Sequence, residues 1–361
     1  MAFYRIFLVA LAIFVSLEGL IFRTNFYASF LEPTSSTGMF ESTLRDEIIR
    51  KPFGPDEILV AGDSRMAEGF SAKIANATPI DHSYYFANVA IPGATPRTMY
   101  YLLRDLDPSH KKYCAIVLPV ESYDDIEGFE VLSDRLLDLH YCIVRLRYSD
   151  VIPFASSYST GRRQMEAFRG SLFKGLVFQS DMLTFFEHRR KRLSEVAAWR
   201  EHGWQWENDY DGREEDLTDM QVHWEGKTIT FPERLPASER ENLTQTLFGP
   251  LPPQQGKLTR YRRLWFGRIL DLYRNSNTKL IFMALARGPA VPPTPRIQPL
   301  THSIRDMSGT PGVILLPENH FASLEDTKFY FDSLHFNRKG RNQFSSMLAQ
   351  LIRSTLGPSR N

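Results

Sequence analysis

Two short stretches hold the residues best suited to do chemistry. In "EILVAGDSRMAEGF", residues 57 to 70, an apolar run ends in Gly-Asp-Ser and a helix-compatible segment follows at once. A strand-to-helix corner of this kind lifts a serine hydroxyl clear of a sheet, which suits Ser64 as a nucleophile. The same corner suits a plain N-cap, because Asp63 and Ser64 are both residue types that satisfy orphan amides there. In "FDSLHFNRKGRNQF", residues 331 to 344, Asp332 and His335 stand three apart ahead of a helical segment. One turn can fold that carboxylate onto a ring nitrogen. A serine hydroxyl is a weak nucleophile until a base takes its proton, and an aspartate on Nδ1 fixes the imidazole tautomer and stabilises the imidazolium. An isolated Asp-x-x-His would serve a surface turn equally well. Its weight here comes from its place between a late strand and the terminal helix.

The elements that must position these residues are legible as strand, helix, strand. "EILVAG" is a short apolar run and "SRMAEGFSAKIAN" is compatible with a helix. "YYFANVAIPG" is strand-like and closes on Pro92-Gly93, and "TPRTMYYLLRDL" has helical spacing behind a Thr95-Pro96 opening. "KYCAIVLPV", "TKLIFMALA" and "TPGVILLPE" are further strands, "YRRLWFGRILDLYRN" a helix, and "RKGRNQFSSMLAQLIRSTLG" the closing helix. Such alternation predicts an α/β fold, a parallel sheet with helices on both faces. Residues 131 to 255 break the pattern and are expected to form a large, mainly helical insertion between a first half, 56–130, and a second half, 256–361. The run "HRRKR" at 188–192 reads as a solvated helix face, with anionic head groups or an acidic polymer as the alternative.

Residues 6 to 22, "IFLVALAIFVSLEGLIF", are apolar apart from Ser16 and Glu18. At about 1.5 Å per residue they reach the lower limit for crossing a bilayer. Flanking aromatics at Phe3, Tyr4, Phe26 and Tyr27 match interfacial anchors. Residues 1–25 therefore read as an uncleaved anchor, and 26–55 as a tether with a short helix, "MFESTLRDEIIRK". Arg5 favours a cytoplasmic N-terminus, which leaves the rest of the chain on the extracytoplasmic side of the plasma membrane. A cleaved signal peptide is the rival. Glu18 either lies idle near the interface or contacts a polytopic membrane partner. A net charge of +1 argues against nucleic acid as a partner. Two cysteines, Cys114 and Cys142, make neither a disulfide framework nor a metal cluster, although a single bridge stays open.

Taken together, "GDS", "NVAIPGAT" and "DSLH" resemble, in order, blocks of the SGNH (GDSL-type) hydrolases. The resemblance covers roughly residues 56–125 and 257–356. It implies Ser64 as nucleophile, His335 as base, Asp332 as its orienting acid, and the amides of Ser64 and Gly93 as oxyanion-hole donors, with Asp63 and Asn88 in supporting places. The family's Gly-x-Asn-Asp block is replaced here by "LPVESYDD", which puts Glu121 and Ser122 where an Asn donor is expected. Either Ser122 substitutes, or another group does, or the hole is incomplete.

With its anchor, the chain is similar to the extracytoplasmic partners of membrane-bound O-acyltransferase systems, such as those of alginate acetylation and teichoic acid D-alanylation. This similarity implies a polytopic acyltransferase as partner, a polysaccharide or other glycan as acceptor, and no metal or organic cofactor. The expected activity is O-acyl transfer, an acetyl group above all, through a serine acyl-enzyme. The same residues make an esterase if water is the acceptor. A non-catalytic subunit of an acyltransferase complex is the alternative from another class.

Overall fold

The computed structural model describes residues 2–50, 54, 56–78, 84–120, 134–202, 210–249, 256–292 and 307–358. They fall into two compact units. The described residues of 2–49 and 134–202 form one, and those from 50 to 120 and from 210 onward form the other. The stretch expected as one insertion is thus divided. Its first part joins the N-terminal segment, and 210–249 joins the sheet.

In the sheet-bearing unit the strands are β1 (Glu57–Val60), β2 (Tyr85–Asn88), β3 (Ala115–Val120), a small antiparallel hairpin of β4 (Gln221–His223) and β5 (Thr228–Thr230), then β6 (Lys279–Ala284) and β7 (Val313–Leu315). The main sheet has five strands in the order β2-β1-β3-β6-β7, every neighbouring pair parallel. Each lies on an apolar run of the sequence. Strand parity divides the core. Ile58, Val60, Ala115, Val117, Ile281 and Met283 share one cluster with Phe344, Leu348 and Ile352 of the closing helix Arg338–Leu356. Phe282, of opposite parity, meets Phe266 of the helix Gly256–Tyr273. That helix packs against Pro96–Leu106, where Thr95 is the N-cap and Pro96 takes the first turn. Both faces of the sheet are therefore covered, as parallel sheets require.

"SRMAEGFSAKIAN" forms two short helices, Ser64–Gly69 and Ala72–Ala77. The break falls at Phe70-Ser71, where the Ser71 hydroxyl accepts from the Ile74 amide and recaps the chain. Ser and Gly favour such interruptions because they stabilise non-helical backbone.

The other unit is helical. The N-terminal stretch Tyr4–Phe22 is long and apolar enough to cross a membrane, with only a small share of it buried by protein. Glu18, one of the few buried parts, contradicts neither charge chemistry nor packing. Its carboxylate accepts from the amides of Lys174 and Gly175, at 2.9 and 3.0 Å, at the start of the helix Lys174–Glu187, and pairs with Arg23 at 3.2 Å. Its partner is this chain's own helix N-terminus, where a carboxylate satisfies orphan donors and the helix dipole. In "HRRKR", residues 188–191 are exposed as expected, whereas Arg192 is buried against Asp181 and the Phe30 carbonyl. Neither Cys114 nor Cys142 is in a disulfide. Burial, reinforced by the charge of Asp56, pushes the Cys114 thiol up to about 12.

Candidate active site

β1 delivers the chain to a corner that serine alone does not explain. Gly62 has φ +157°, and a Cβ there would lie 2.4 Å from the Met66 side chain. Only glycine passes that bend without strain. Asp63 then takes the capping role. Its side chain accepts from the Arg65 amide at 3.0 Å, and its carbonyl accepts from Met66 and Ala67. Burial pushes the Asp63 carboxyl up, but the paired Arg65 guanidinium at 2.9 Å outweighs it and holds the group below its ordinary value. With Asp63 as the cap, the Ser64 hydroxyl is left for something else.

The short helix that begins at Ser64 is held at its far end. Asn88, at the end of β2, donates to the carbonyls of Met66 and Phe70, at 3.3 and 3.0 Å, and accepts from the Ala90 amide. Arg341 of the closing helix donates to the carbonyls of Ala67 and Glu68. These bonds satisfy helix-terminal acceptors that water would otherwise have to reach. Asn88 is thus a positioning residue for the serine helix.

The segment before the closing helix brings in the other two residues. Asp332 Oδ1 accepts from the backbone amides of Leu334 and His335, at 2.8 and 2.7 Å, which folds the turn. Its Oδ2 lies 2.8 Å from His335 Nδ1, and His335 Nε2 lies 2.8 Å from Ser64 Oγ. One unbroken relay therefore joins carboxylate, imidazole and hydroxyl across residues 271 positions apart. Burial pushes the His335 imidazole down, but its hydrogen bond to Asp332 and the charges of Asp332, Glu68 and Asp63 hold it above its ordinary value. Burial likewise raises the Asp332 carboxyl, and the His335 bond with the two amides brings it below the usual carboxylate range.

Two of the groups expected to bind an oxyanion, the backbones of Ser64 and Gly93, follow strand ends at the same carboxyl edge of the sheet. The Ser64 amide has no acceptor among the described residues. Ladder bonds from Val89 to Val60 and from Ile91 to Gly62 carry β2 past the end of β1. A turn closed by the Ala94 amide on the Ile91 carbonyl follows, with Pro92 at its second position and Gly93 at φ +76° in its third. This is the sequence a type II turn demands. Glu121 and Ser122, which follow β3 in the chain, lie outside the described residues.

Further groups near the relay were not singled out by the sequence. The Phe331 ring stacks on His335, with centroids 5.7 Å apart and planes 12° apart. The Arg213 guanidinium lies 4.5 Å from the Phe331 centroid. Arg213 belongs to a strap, 210–216, whose carbonyl at Arg213 accepts from the Arg338 amide, while Tyr210 donates to Glu68 at 3.1 Å. A lone cation inside the acidic run "DYDGREED" gives no local sign of this placement. Among the described residues no cluster of three His, Cys, Asp or Glu side chains has a metal-holding arrangement.

Neither a family model nor a curated protein matches this chain. The geometry therefore has to carry the functional reading. A carboxylate-held imidazole 2.8 Å from a serine hydroxyl at a helix start is able to take that hydroxyl's proton as the oxygen attacks a carbonyl carbon.

Proposed function

We propose that this protein is a membrane-anchored, extracytoplasmic serine O-acyltransferase of the SGNH type, with a three-layer fold of that kind around its sheet. The single observation that supports it most is the Asp332–His335–Ser64 relay, both links at 2.8 Å. Ser64 Oγ attacks the acyl carbonyl carbon while His335 Nε2 takes its proton. The amides of Ser64 and Gly93 receive the developing oxyanion. The proton on Nε2 passes to the departing oxygen, which leaves an acyl-enzyme. An incoming hydroxyl then gives its proton to His335 and attacks the ester, restoring Ser64.

The apolar helix Tyr4–Phe22, with Arg5 at its start, supports an anchor in the plasma membrane with the relay outside the cytoplasm. A polytopic O-acyltransferase as donor-side partner and an envelope or exported glycan as acceptor fit that placement. The deciding experiment is intact-mass spectrometry of the full chain in detergent with an activated acetyl ester. A gain of one acetyl group that Ser64→Ala abolishes is the expected result. Discharge faster with added glycan than with water alone identifies a transferase, and equal discharge an esterase. No acetyl gain on the wild-type chain, with any activated ester, contradicts the proposal.

A further inference from the structure

The helical unit holds a cavity that the relay does not use. Its volume is about 250 Å³, and it lies between residues 25–33, the helix Ser36–Ile49 and the helix Arg189–His202. Gly38 lets the first helix approach so closely, since a Cβ there would overlap the Glu32 carbonyl. Leu31, Val196 and Trp199 supply an apolar wall. Sites for drug-sized molecules occupy about 300–1,000 Å³, so this one suits an occupant of headgroup size.

The polar part of the wall is basic. Arg45, Arg145 and Arg200 line it together with a single carboxylate, that of Glu41. Arg145 spends its fork on Glu41, donating to both oxygens. Arg45 donates Nε and Nη2 to Asp46, which leaves its Nη1 without an acceptor among the described residues. Arg200 donates once, to the Ser29 carbonyl at 2.9 Å, and has no carboxylate partner among the described residues. Glu195 on the same helix pairs with Lys191, and Glu32 accepts from Arg192 and Thr34. Ser42 is only 7% exposed, yet its hydroxyl bonds to no described residue, and its oxygen is not sealed by protein. A hydroxyl opening onto a cavity is met by whatever fills it.

We infer that this cavity binds the phosphate group of a small molecule. The guanidinium fork matches phosphate oxygens, and a tetrahedral anion offers acceptors in several directions at once. The donors here demand that, because Ser42 and Arg45 stand on one helix and Arg200 on the other. A planar carboxylate has only two oxygens to divide between them. The inference is independent of the relay. Two sources supply such a phosphate. Asn25 lies three positions past Phe22, where the apolar stretch ends, so the cavity stands beside the headgroups of any membrane that the stretch crosses. A phosphate-bearing solute is the other source.

The test uses the full chain in a nonionic detergent without phosphate, with glycerol phosphate as the soluble probe and glycerol and acetate as controls. Calorimetry should show one glycerol phosphate bound per chain, no heat from glycerol, and binding of acetate at least tenfold weaker. Occupancy should slow phenylglyoxal modification of Arg200, read by peptide mapping, and leave Arg189 and Arg190, exposed on the same helix, unchanged. Both readouts use the unaltered chain. Arg45→Gln and Arg200→Gln should each weaken binding about tenfold without lowering the thermal melt. In nanodiscs of phosphatidylglycerol and phosphatidylcholine, native mass spectrometry reads the lipid source. One retained phospholipid, lost in R45Q/R200Q, identifies a headgroup, and glycerol phosphate binding without retention identifies a solute. A native chain that neither binds the probe nor retains a lipid would overturn the inference. So would acetate binding as tightly as glycerol phosphate, or binding that leaves Arg200 unprotected and survives both substitutions.

Discussion

Replacing Asp332 by Asn changes one atom and should silence the relay. Asp332 Oδ1 accepts two backbone amides, so the Asn carbonyl is held in that place and its amide nitrogen is turned toward His335 Nδ1. An amide N–H donates, which forces the imidazole into the tautomer with its proton on Nε2. That nitrogen then donates to Ser64 Oγ and has no lone pair for the hydroxyl proton. Wrong-tautomer variants of such relays lose about 10⁴-fold in kcat, or about 5.5 kcal/mol of barrier. Stability should suffer less, by about 1–2 kcal/mol, because a neutral hydrogen bond replaces one to a charged group. Hydrolysis of an activated ester and a urea melt on the same variant give both numbers.

The pH profile adds a sign. The proposed catalysis needs neutral His335, whose basicity Asp332 raises, so the acid limb of kcat/KM in the native chain should lie above about 6.5. In D332N only the smaller pulls of Glu68 and Asp63 oppose burial, and the limb should move to lower pH. The pair's contribution to stability has the opposite limits. The His335 part is lost as pH rises through its raised value, and the Asp332 part is lost as pH falls through its lowered one, so it is fullest between about pH 4 and 6.5. A variant with near-native turnover and an unmoved limb would refute the reasoning.

Asn88→Ala removes the donors to Met66 and Phe70. It should cost about 1–3 kcal/mol in a urea melt and slow ester turnover, and an unchanged melt would show that water replaces it. Gly212→Ala meets both a φ of +90° and an Arg338 Cα 2.9 Å from the new Cβ. It should cost about 1–3 kcal/mol and lower the rate at which Ser64 is acylated, because the strap carrying Arg213 must shift. Unchanged rate and melt would show the strap to be incidental.

Much of this was legible in the residues themselves. Apolar runs located all five strands of the main sheet, because strands of a parallel sheet covered by helices on both faces are apolar along most of their length. Ser64, Asp332 and His335 were readable because a turn and a strand end leave local signatures. Which residue caps the serine helix was not, since Asp63 and Ser64 share the needed chemistry and only their bonds, Asp63 to the Arg65 amide and Ser64 to His335, separate them. Tertiary partners leave the least local trace. Nothing near Glu18 announces a helix start 156 residues away, nothing in an acidic run marks Arg213 as the cation over Phe331, and nothing at 131–255 shows that its halves belong to different units.

The central claim is that Ser64 is an activated nucleophile. Incubating the full chain with a fluorophosphonate, followed by digestion and mass spectrometry, tests it without any knowledge of the natural donor. One adduct is expected, on Ser64, that disappears in Ser64→Ala and forms far more slowly in His335→Ala. A native chain that stays unlabelled, or an adduct that survives Ser64→Ala, would contradict it.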